Sequence, residues 1–185
     1  MNPPNTSREE IMRVSRKIVS EKGLPALNMR ALAKECGIAL GTLYNYYSDK
    51  DELVVAAIES VWQDILEKSP PDSGVSFSQY VTQTYAHIIE KLKDYPDFLA
   101  AHSISVAGSV KGKARGMMER CFGKIRSELH EVLQNDKNVD RSIFSETFRE
   151  ENLIEHVLDN IIILIIKGKP DCATLTEILD RLLYR

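Results

Sequence analysis

Two short helical segments meet at Gly37, and this junction constrains the fold more than any other feature of the chain. Asn28 can cap the first segment with its side chain, and Gly37 permits the tight turn that follows. A third helix is predicted from about residue 39 to 47. A longer helix with apolar residues at helical spacing precedes both, and its capping box begins at Ser7. The pattern therefore predicts a helix-turn-helix.

The third helix is predicted to have one core face and one polar face. Leu43 and Tyr47 lie four residues apart and are expected to share the core face. At about 100° per residue, Gly41 and Asn45 then point away from the core. Tyr46 falls nearer the inner edge, where a half-buried packing role and a contact to a phosphate both remain open.

The polar face suits the major groove of DNA. Gly41 keeps the helix slim, so its backbone can approach the base pairs closely. Thr42 and Asn45 carry groups that can meet base edges, whereas the hydroxyl of Tyr44 can donate to a phosphate. Lys50 stands at the start of the fourth helix, where its charge and the free N–H groups of that helix favour a second phosphate.

The segment from 29 to 53, MRALAKECGIALGTLYNYYSDKDEL, resembles the DNA-binding signature of the TetR family of bacterial transcriptional regulators. It follows the family pattern hAxxxGhxxGTLYxYFxxKxxL, except that Tyr47 stands where phenylalanine is commoner. The resemblance implies that Arg30, on the helix before the turn, reaches a base or a phosphate. It also implies base contacts from Thr42 and Asn45 and contacts to the DNA backbone from Tyr44, Tyr46 and Lys50.

Charge is unevenly distributed along the chain. Residues 1–50 carry eight basic and five acidic side chains, a net charge of +3, which leaves −6 for the rest of a chain whose total is −3. A basic head on an acidic body predicts an anionic partner for the head. The three cysteines are odd in number and far apart, which favours reduced thiols in a cytoplasmic protein. The N-terminus does not look like a signal peptide, and the longest apolar run is too short for a membrane span.

Helical signals dominate the rest of the chain, and no segment alternates as a strand does. The cluster SPPDSG at 69–74 predicts a loop. The fold class is therefore all-α, with a three-helix helix-turn-helix head at 1–50 on a larger helical ligand-binding and dimerisation domain at 51–185. Further helix starts are predicted at Ser48, Ser76, Pro96, Lys111, Ser145 and Thr174.

A single helix-turn-helix covers a short site, so specificity favours a homodimer on a palindromic double-stranded operator. The last two helices are the interface candidates because the run at 161–166 is apolar on all sides; an intramolecular core is the alternative. The candidate interface residues are Ile161, Ile162, Ile165, Leu175, Ile178, Leu179 and Leu182.

The intervening helices carry aromatic, Met and single polar side chains that suit an adaptable apolar pocket, although each also suits an ordinary core. An apolar or aromatic small molecule is the expected ligand. The candidate lining residues are Trp62, Tyr80, Tyr85, His87, Phe98, His102, Met117, Cys121, Phe122 and Phe148.

Together these features predict a sequence-specific transcriptional regulator, a repressor that a small-molecule ligand releases from its operator. An activator or a ligand-independent architectural protein is the alternative within DNA binding, and a small all-α enzyme is the alternative outside it. No catalytic residue, cofactor, metal ion or membrane partner is predicted, since the chain lacks a Gly-rich phosphate loop, a nucleophile elbow and an HExxH motif, and its histidines are scattered.

Overall fold

The computed structural model describes residues 6–68, 74–100 and 111–184, with the backbone alone at 111–115 and 118. Every regular element in these ranges is helical, which agrees with the predicted all-α class. The main helices are α1 (Arg8–Lys22), α2 (Met29–Glu35), α3 (Leu40–Tyr44), α4 (Lys50–Leu66), α5 (Phe77–Leu92), α6 (Lys111–Asn135), α7 (Glu150–Ile166) and α8 (Ala173–Leu183). Single 3₁₀ turns occur at Leu24–Ala26 and Arg141–Ile143.

The chain divides into two compact units. The first comprises Met1–Ile65 with Lys91–Cys121, and the second comprises Leu66–Glu90 with Phe122–Arg185. The predicted division between residues 50 and 51 remains a prediction.

The core of the first unit is formed where α1, α2 and α3 pack together with the apolar side of α4. Lys22 at the end of α1 pairs with Glu35 at the end of α2, with a distance of 3.2 Å between Nζ and Oε1. The fully buried side chains of this core include Ile11, Leu32, Leu43, Leu53 and Val61.

The core of the second unit includes Phe77, Leu129, Leu133, Ile161 and Leu183, all fully buried. The buried carboxylate of Asp136, just after α6, organises its polar contacts. Its Oδ2 accepts a hydrogen bond from the backbone N of Phe77 at 2.9 Å and another from the hydroxyl of Tyr184 at 2.7 Å. One side chain thus joins the start of α5, the end of α6 and the segment after α8.

Several predicted helix starts are confirmed by their caps. Ser7 accepts from the backbone N of Glu10 at 3.1 Å, and Asn28 accepts from the backbone N of Ala31 at 3.0 Å. At α5, Ser76 and Gln79 exchange side-chain to backbone hydrogen bonds, both at 3.3 Å, which is the predicted capping box.

Two other predicted helix starts were wrong. At α4, Asp49 rather than Ser48 accepts from the backbone N of Glu52, at 2.7 Å. Ser145 caps an isolated turn, and α7 begins five residues later, at Glu150.

Two more starts differ from the prediction. Thr174 lies inside α8. The backbone N of Ala173, the first residue of α8, donates to Oδ1 of Asp171 at 3.0 Å. Pro96 lies in a turn with Asp97 at a positive φ of 61°, and helix resumes at 98. The predicted end of that helix near residue 108 lies outside the described residues.

Candidate nucleic-acid interface

The turn between α2 and α3 follows from the glycine at residue 37. Gly37 has a φ of 65°, in the left-handed region that favours glycine. Its backbone N donates to Lys34 O at 3.1 Å, and Ile38 N donates to Ala33 O at 3.0 Å. These bonds close the end of α2 and start α3 at its angle to α2. Ile38, the residue after the turn glycine, is half-buried.

The predicted division of α3 into a core face and an outward face is confirmed. Leu43 and Tyr47 are buried, with exposed fractions of 0% and 1%. Gly41 and Asn45 are exposed and Thr42 is half-buried. α3 itself is shorter than predicted, Leu40–Tyr44, because Tyr46 N bonds Leu43 O at 3.0 Å and tightens the last turn. Tyr47 still lies below Leu43 because its backbone N reaches Leu43 O at 3.1 Å.

The three neighbouring tyrosines have three different environments. Tyr47 belongs to the core, and burial raises the pKa of its hydroxyl. Tyr44 is 49% exposed on the outward face. Tyr46 is half-buried, and its hydroxyl donates a hydrogen bond of 2.7 Å to the backbone carbonyl of Thr6. The hydroxyl proton of Tyr46 is therefore engaged inside the protein.

Gly41 is not required by the internal packing of the head. Its backbone is not in the left-handed region, and a Cβ built on it would meet nothing within 4 Å. The side chain of alanine would therefore fit here in the isolated protein. The space beside Gly41 opens onto the same face as Asn45 and Tyr44.

Both candidate cations of the head are exposed. Arg30 lies on α2, and Lys50 is the first residue of α4. The N-terminus of α4 already carries acidic groups, since Asp49 accepts from Glu52 N and the carboxylate of Glu52 accepts from Ser48 N at 2.8 Å. Hydrogen bonds from the backbone and side chain of Ser48 lower the pKa of Glu52. Carboxylates thus already accept hydrogen bonds at this helix N-terminus. The positive group there that can attract a phosphate is the ammonium of Lys50.

The ligand-pocket candidates are distributed over both units. In the first unit, Trp62 and Phe98 meet edge to face with ring centroids 5.7 Å apart, and Tyr95 lies 6.2 Å from Phe98. Met117 and Cys121 are buried in the same unit, and burial raises the pKa of the Cys121 thiol to about 11. His102 lies outside the described residues.

In the second unit, Tyr80, Tyr85 and Phe122 are buried, whereas His87 and Phe148 are half-buried. The hydroxyl of Tyr85 donates to the carbonyl of Lys169 at 2.7 Å. These positions suit a core and a pocket equally, so the pocket remains a prediction.

Tyr80 belongs to a buried polar cluster that the sequence did not predict. Its hydroxyl donates to Oε2 of Glu128 at 2.6 Å. The ammonium of Lys68 donates to the hydroxyl of Thr84 at 2.6 Å and lies 4.0 Å from the centroid of the Tyr80 ring. Burial lowers the pKa of Lys68, and the nearby charge of Glu128 opposes that shift. The cluster joins residues up to 60 positions apart, which no local pattern could indicate.

The dimer candidates separate into buried and exposed residues. Ile161, Ile165 and Leu179 lie in the core of the chain's own second unit, and Ile162 and Leu175 are half-buried. The outward apolar surface consists of Ile163, Ile166, Ile178 and Leu182, with exposed fractions of 45%, 64%, 56% and 37%. The sequence did not single out Ile163 and Ile166, since an all-apolar run conceals which side faces the core.

Other functional groupings are absent from the part of the chain that the structure describes. Across 6–68, 74–100 and 111–184, no three His, Cys, Asp or Glu side chains come together as metal ligands. Among the helices of these ranges, none combines the length and apolar character that a membrane span requires.

Known proteins are most informative about the head of the chain. The family model of bacterial regulatory proteins, tetR family, matches residues 11–57. Residues 11–57 of this chain are therefore similar to the DNA-binding head of TetR-family regulators. The match covers most of α1, all of α2 and α3 and the first part of α4, so it contains the outward face of α3 and Lys50.

Relatives by sequence are transcriptional regulators. An uncharacterized HTH-type transcriptional regulator of Haemophilus influenzae is 33% identical over 95 residues, which is 50% of this chain and 50% of that protein. The HTH-type transcriptional regulator UidR of Escherichia coli is 32% identical over 79 residues, 42% of this chain and 40% of UidR. The chain therefore spans half or less of these relatives' lengths.

Solved TetR-like structures match nearly the whole chain in fold. The multidrug binding protein EbrR complexed with proflavin has a TM-score of 0.62 at 17% identity, covering 95% of this chain and 98% of EbrR. BioQ with its double-stranded DNA operator has a TM-score of 0.61 at 16% identity, covering 89% and 88%. At these identities the likeness supports the all-α fold alone.

Proposed function

We propose that this protein is a sequence-specific DNA-binding transcriptional regulator, a repressor that a small-molecule ligand releases from its operator. One observation carries the proposal: the exposed face of α3 presents Gly41, Thr42 and Asn45 in front of the buried Leu43 and Tyr47. This face lies within the segment that matches the TetR family. Because it is slim and polar and belongs to a basic head, its partner is the major groove of double-stranded DNA.

Each exposed group has a distinct proposed role. Thr42 and Asn45 contact base edges and so provide sequence preference. Tyr44, Lys50 and Arg30 contact the sugar–phosphate backbone and fix the register of α3 in the groove.

A second copy of the chain is the proposed partner in solution. Each of the last two helices of the second unit has two exposed apolar residues at helical spacing, Ile163 and Ile166 on α7 and Ile178 and Leu182 on α8. Monomeric proteins rarely expose apolar patches of this kind, and a homodimer would present two heads to a palindromic operator. As a DNA-binding regulator without catalytic function, the protein would act in the cytoplasm.

The ligand is proposed to be apolar or aromatic and to act through α4. Trp62 lies on α4, which also begins with Lys50, and its ring packs against Phe98. A ligand that binds these rings more tightly in one arrangement of α4 than in another would shift the head accordingly. The likeness to a proflavin complex supports an aromatic compound as the first to test.

The DNA-binding proposal is tested by selecting fragments of genomic DNA on the purified protein and comparing variants on the best fragment. Lys50→Ala should weaken binding to every sequence and reduce the slope of log affinity against log salt by about 1. Asn45→Ala should mainly change sequence preference, at a cost of about 1–3 kcal/mol on the preferred fragment.

Lys137→Ala is the matched control, because Lys137 is an exposed lysine of the second unit and its loss changes the net charge equally. If no fragment is enriched, or if Lys50→Ala and Lys137→Ala behave alike, the proposed interface is wrong.

The ligand proposal has its own test, because Trp62 is the only tryptophan in the chain. Its fluorescence can be followed while proflavin is added to the free protein, and while a panel of apolar aromatic metabolites is added to the complex with DNA. Ligand action predicts a fluorescence change together with release of the fragment. A panel that changes neither signal would favour the ligand-independent alternative.

A further inference from the structure

Residues 6–8 lie against the C-terminal end of α3. The hydroxyl of Tyr46 donates to the carbonyl of Thr6 at 2.7 Å, and Nη2 of Arg8 donates to the carbonyl of Tyr46 at 2.8 Å. The guanidinium of Arg8 also lies over the ring of Tyr47, 5.1 Å from its centroid. We call Thr6, Arg8 and Tyr46 the N-terminal latch. Its two hydrogen bonds run in opposite directions between segments that are 38 and 40 residues apart.

α3 depends on support from outside itself. It contains five residues, and its N-cap, Ala39, provides no side-chain hydrogen bond. Helices this short are marginal in water, and the carbonyls at their C-terminal end lack partners within the helix. Arg8 bonds the carbonyl of Tyr46, two residues beyond the last residue of α3, and its positive charge lies near the negative end of the helix dipole.

Arg8 also stands where three elements of the head meet. It is the first residue of α1, it bonds the segment after α3, and its charge acts on Glu52 in the first turn of α4. Glu52 in turn holds Ser48 through both its backbone N and its hydroxyl, each at 2.8 Å. The connection from α3 to α4 is therefore fixed from both sides.

We propose that Arg8 is a positioning residue for DNA recognition: the N-terminal latch sets the orientation of α3, and Arg8 acts through Tyr46 rather than on the DNA. The same geometry gives Tyr46 a positioning role, since its hydroxyl proton is already used on Thr6. The role of the N-terminal latch in recognition rests on the proposed function. The effect of the latch on the stability of α3 can be measured without DNA.

The first experiment measures hydrogen exchange of the free protein. Arg8→Gln and Tyr46→Phe should speed exchange of the backbone amides of Asn45, Tyr46 and Tyr47 about five- to tenfold, because α3 opens locally more often. The control is Arg13→Gln on the same helix, which removes the same charge but only a bond to Glu10. Unchanged exchange at α3 in both latch variants, or equal acceleration in Arg13→Gln, would overturn the latch.

The second experiment compares wild type and Arg8→Gln on the selected fragment and on unrelated DNA at several salt concentrations. A positioning role predicts about tenfold weaker binding to the selected fragment, little change on unrelated DNA, and an unchanged salt slope. Parallel loss on both DNAs with a slope reduced by about 1 would instead make Arg8 a phosphate contact and overturn the proposal.

The two experiments separate the latch from the proposed function. If the wild type itself does not discriminate between DNAs, the proposed function fails while the exchange data still report on the latch. Arg8→Lys provides a further variant: it retains the charge but loses the planar fork that reaches Tyr46 O, so it should behave as Arg8→Gln does. If Arg8→Lys and Arg8→Gln both keep the wild-type hydrogen exchange at α3 and the wild-type preference for the selected fragment, the guanidinium of Arg8 has no role in recognition.

Discussion

The hydroxyl of Tyr95 donates a hydrogen bond of 2.9 Å to Oδ2 of Asp64, and Nε of Arg16 lies 3.6 Å from Oδ1 of the same carboxylate. Arg16 also donates to the hydroxyl of the buried Ser60 at 2.6 Å. The carboxylate of Asp64 thus joins α1, the first helix of the head, to α4 and to the turn that carries Tyr95. Burial raises the pKa of Tyr95, and the bond to Asp64 raises it further.

The first prediction concerns this carboxylate. Asp64→Asn should lower the free energy of unfolding by about 1–2 kcal/mol, because Arg16 loses a charged partner in a half-buried position. Urea denaturation measures the effect. Glu10→Gln is the control, since its pair with Arg13 is exposed to solvent and should contribute little to stability. Equal effects of the two substitutions would mean that Asp64 does not join the elements as described.

The second prediction concerns the turn glycine. Gly37→Ala should destabilise the protein by about 1–2 kcal/mol, since alanine at a φ of 65° is strained even though a Cβ there meets nothing within 4 Å. Thermal unfolding provides the measurement. A Gly37→Ala variant as stable as wild type would show that the turn can rearrange, and the angle between α2 and α3 would then be adjustable.

A third prediction follows from the buried thiol of Cys121. Burial raises its pKa to about 11 from an ordinary 9.0, so the folded protein keeps this proton while the unfolded chain releases it. The stabilisation is complete below pH 9 and is lost as the pH rises towards about 11. Between pH 8 and 10.5 the free energy of unfolding of wild type should therefore fall by about 2 kcal/mol more than that of Cys121→Ala.

Urea denaturation of both proteins at the two pH values tests this, and tyrosine ionisation cancels in the difference. If the difference in free energy of unfolding between wild type and Cys121→Ala is the same at both pH values, the thiol is not buried as described.

The fourth prediction concerns the exposed apolar residues of α7 and α8. Ile178→Glu should shift the protein from dimer to monomer in analytical ultracentrifugation, because a charge would be buried at the proposed interface. Asp180→Lys, a charge change at an exposed position of the same helix, should leave the association unchanged. If wild type is a monomer, the proposed interface does not exist. If Ile178→Glu still dimerises, the interface lies elsewhere.

Sequence reasoning succeeded where the determinants are local. Helical periodicity placed Leu43 and Tyr47 in the core and left Gly41 and Asn45 outside, since a helix fixes the direction of each side chain. The capping pair of Ser76 and Gln79 was predictable for the same reason. These features depend on residues within one or two turns of each other.

It failed where a partner lies far away in sequence or where several local partners compete. The bonds from Tyr46 to Thr6 and from Arg16 to Ser60 join residues 40 and 44 positions apart, so no pattern indicated them. At α4, Ser48 and Asp49 are both good caps, and only the backbone geometry selects Asp49.

Gly41→Ala shows whether the outward face of α3 enters the major groove. Alanine is a better helix former than glycine, and a Cβ at Gly41 meets nothing within 4 Å, so the free protein should be as stable as wild type or up to about 1 kcal/mol more stable. Gly123→Ala in α6 is the matched control, since a Cβ there is also unobstructed.

Both variants are titrated against the selected DNA fragment. Gly41→Ala should bind about tenfold or more weakly because the new methyl group meets the DNA, whereas Gly123→Ala should bind like wild type. Wild-type affinity in a folded Gly41→Ala protein would contradict the claim that this face of α3 contacts DNA.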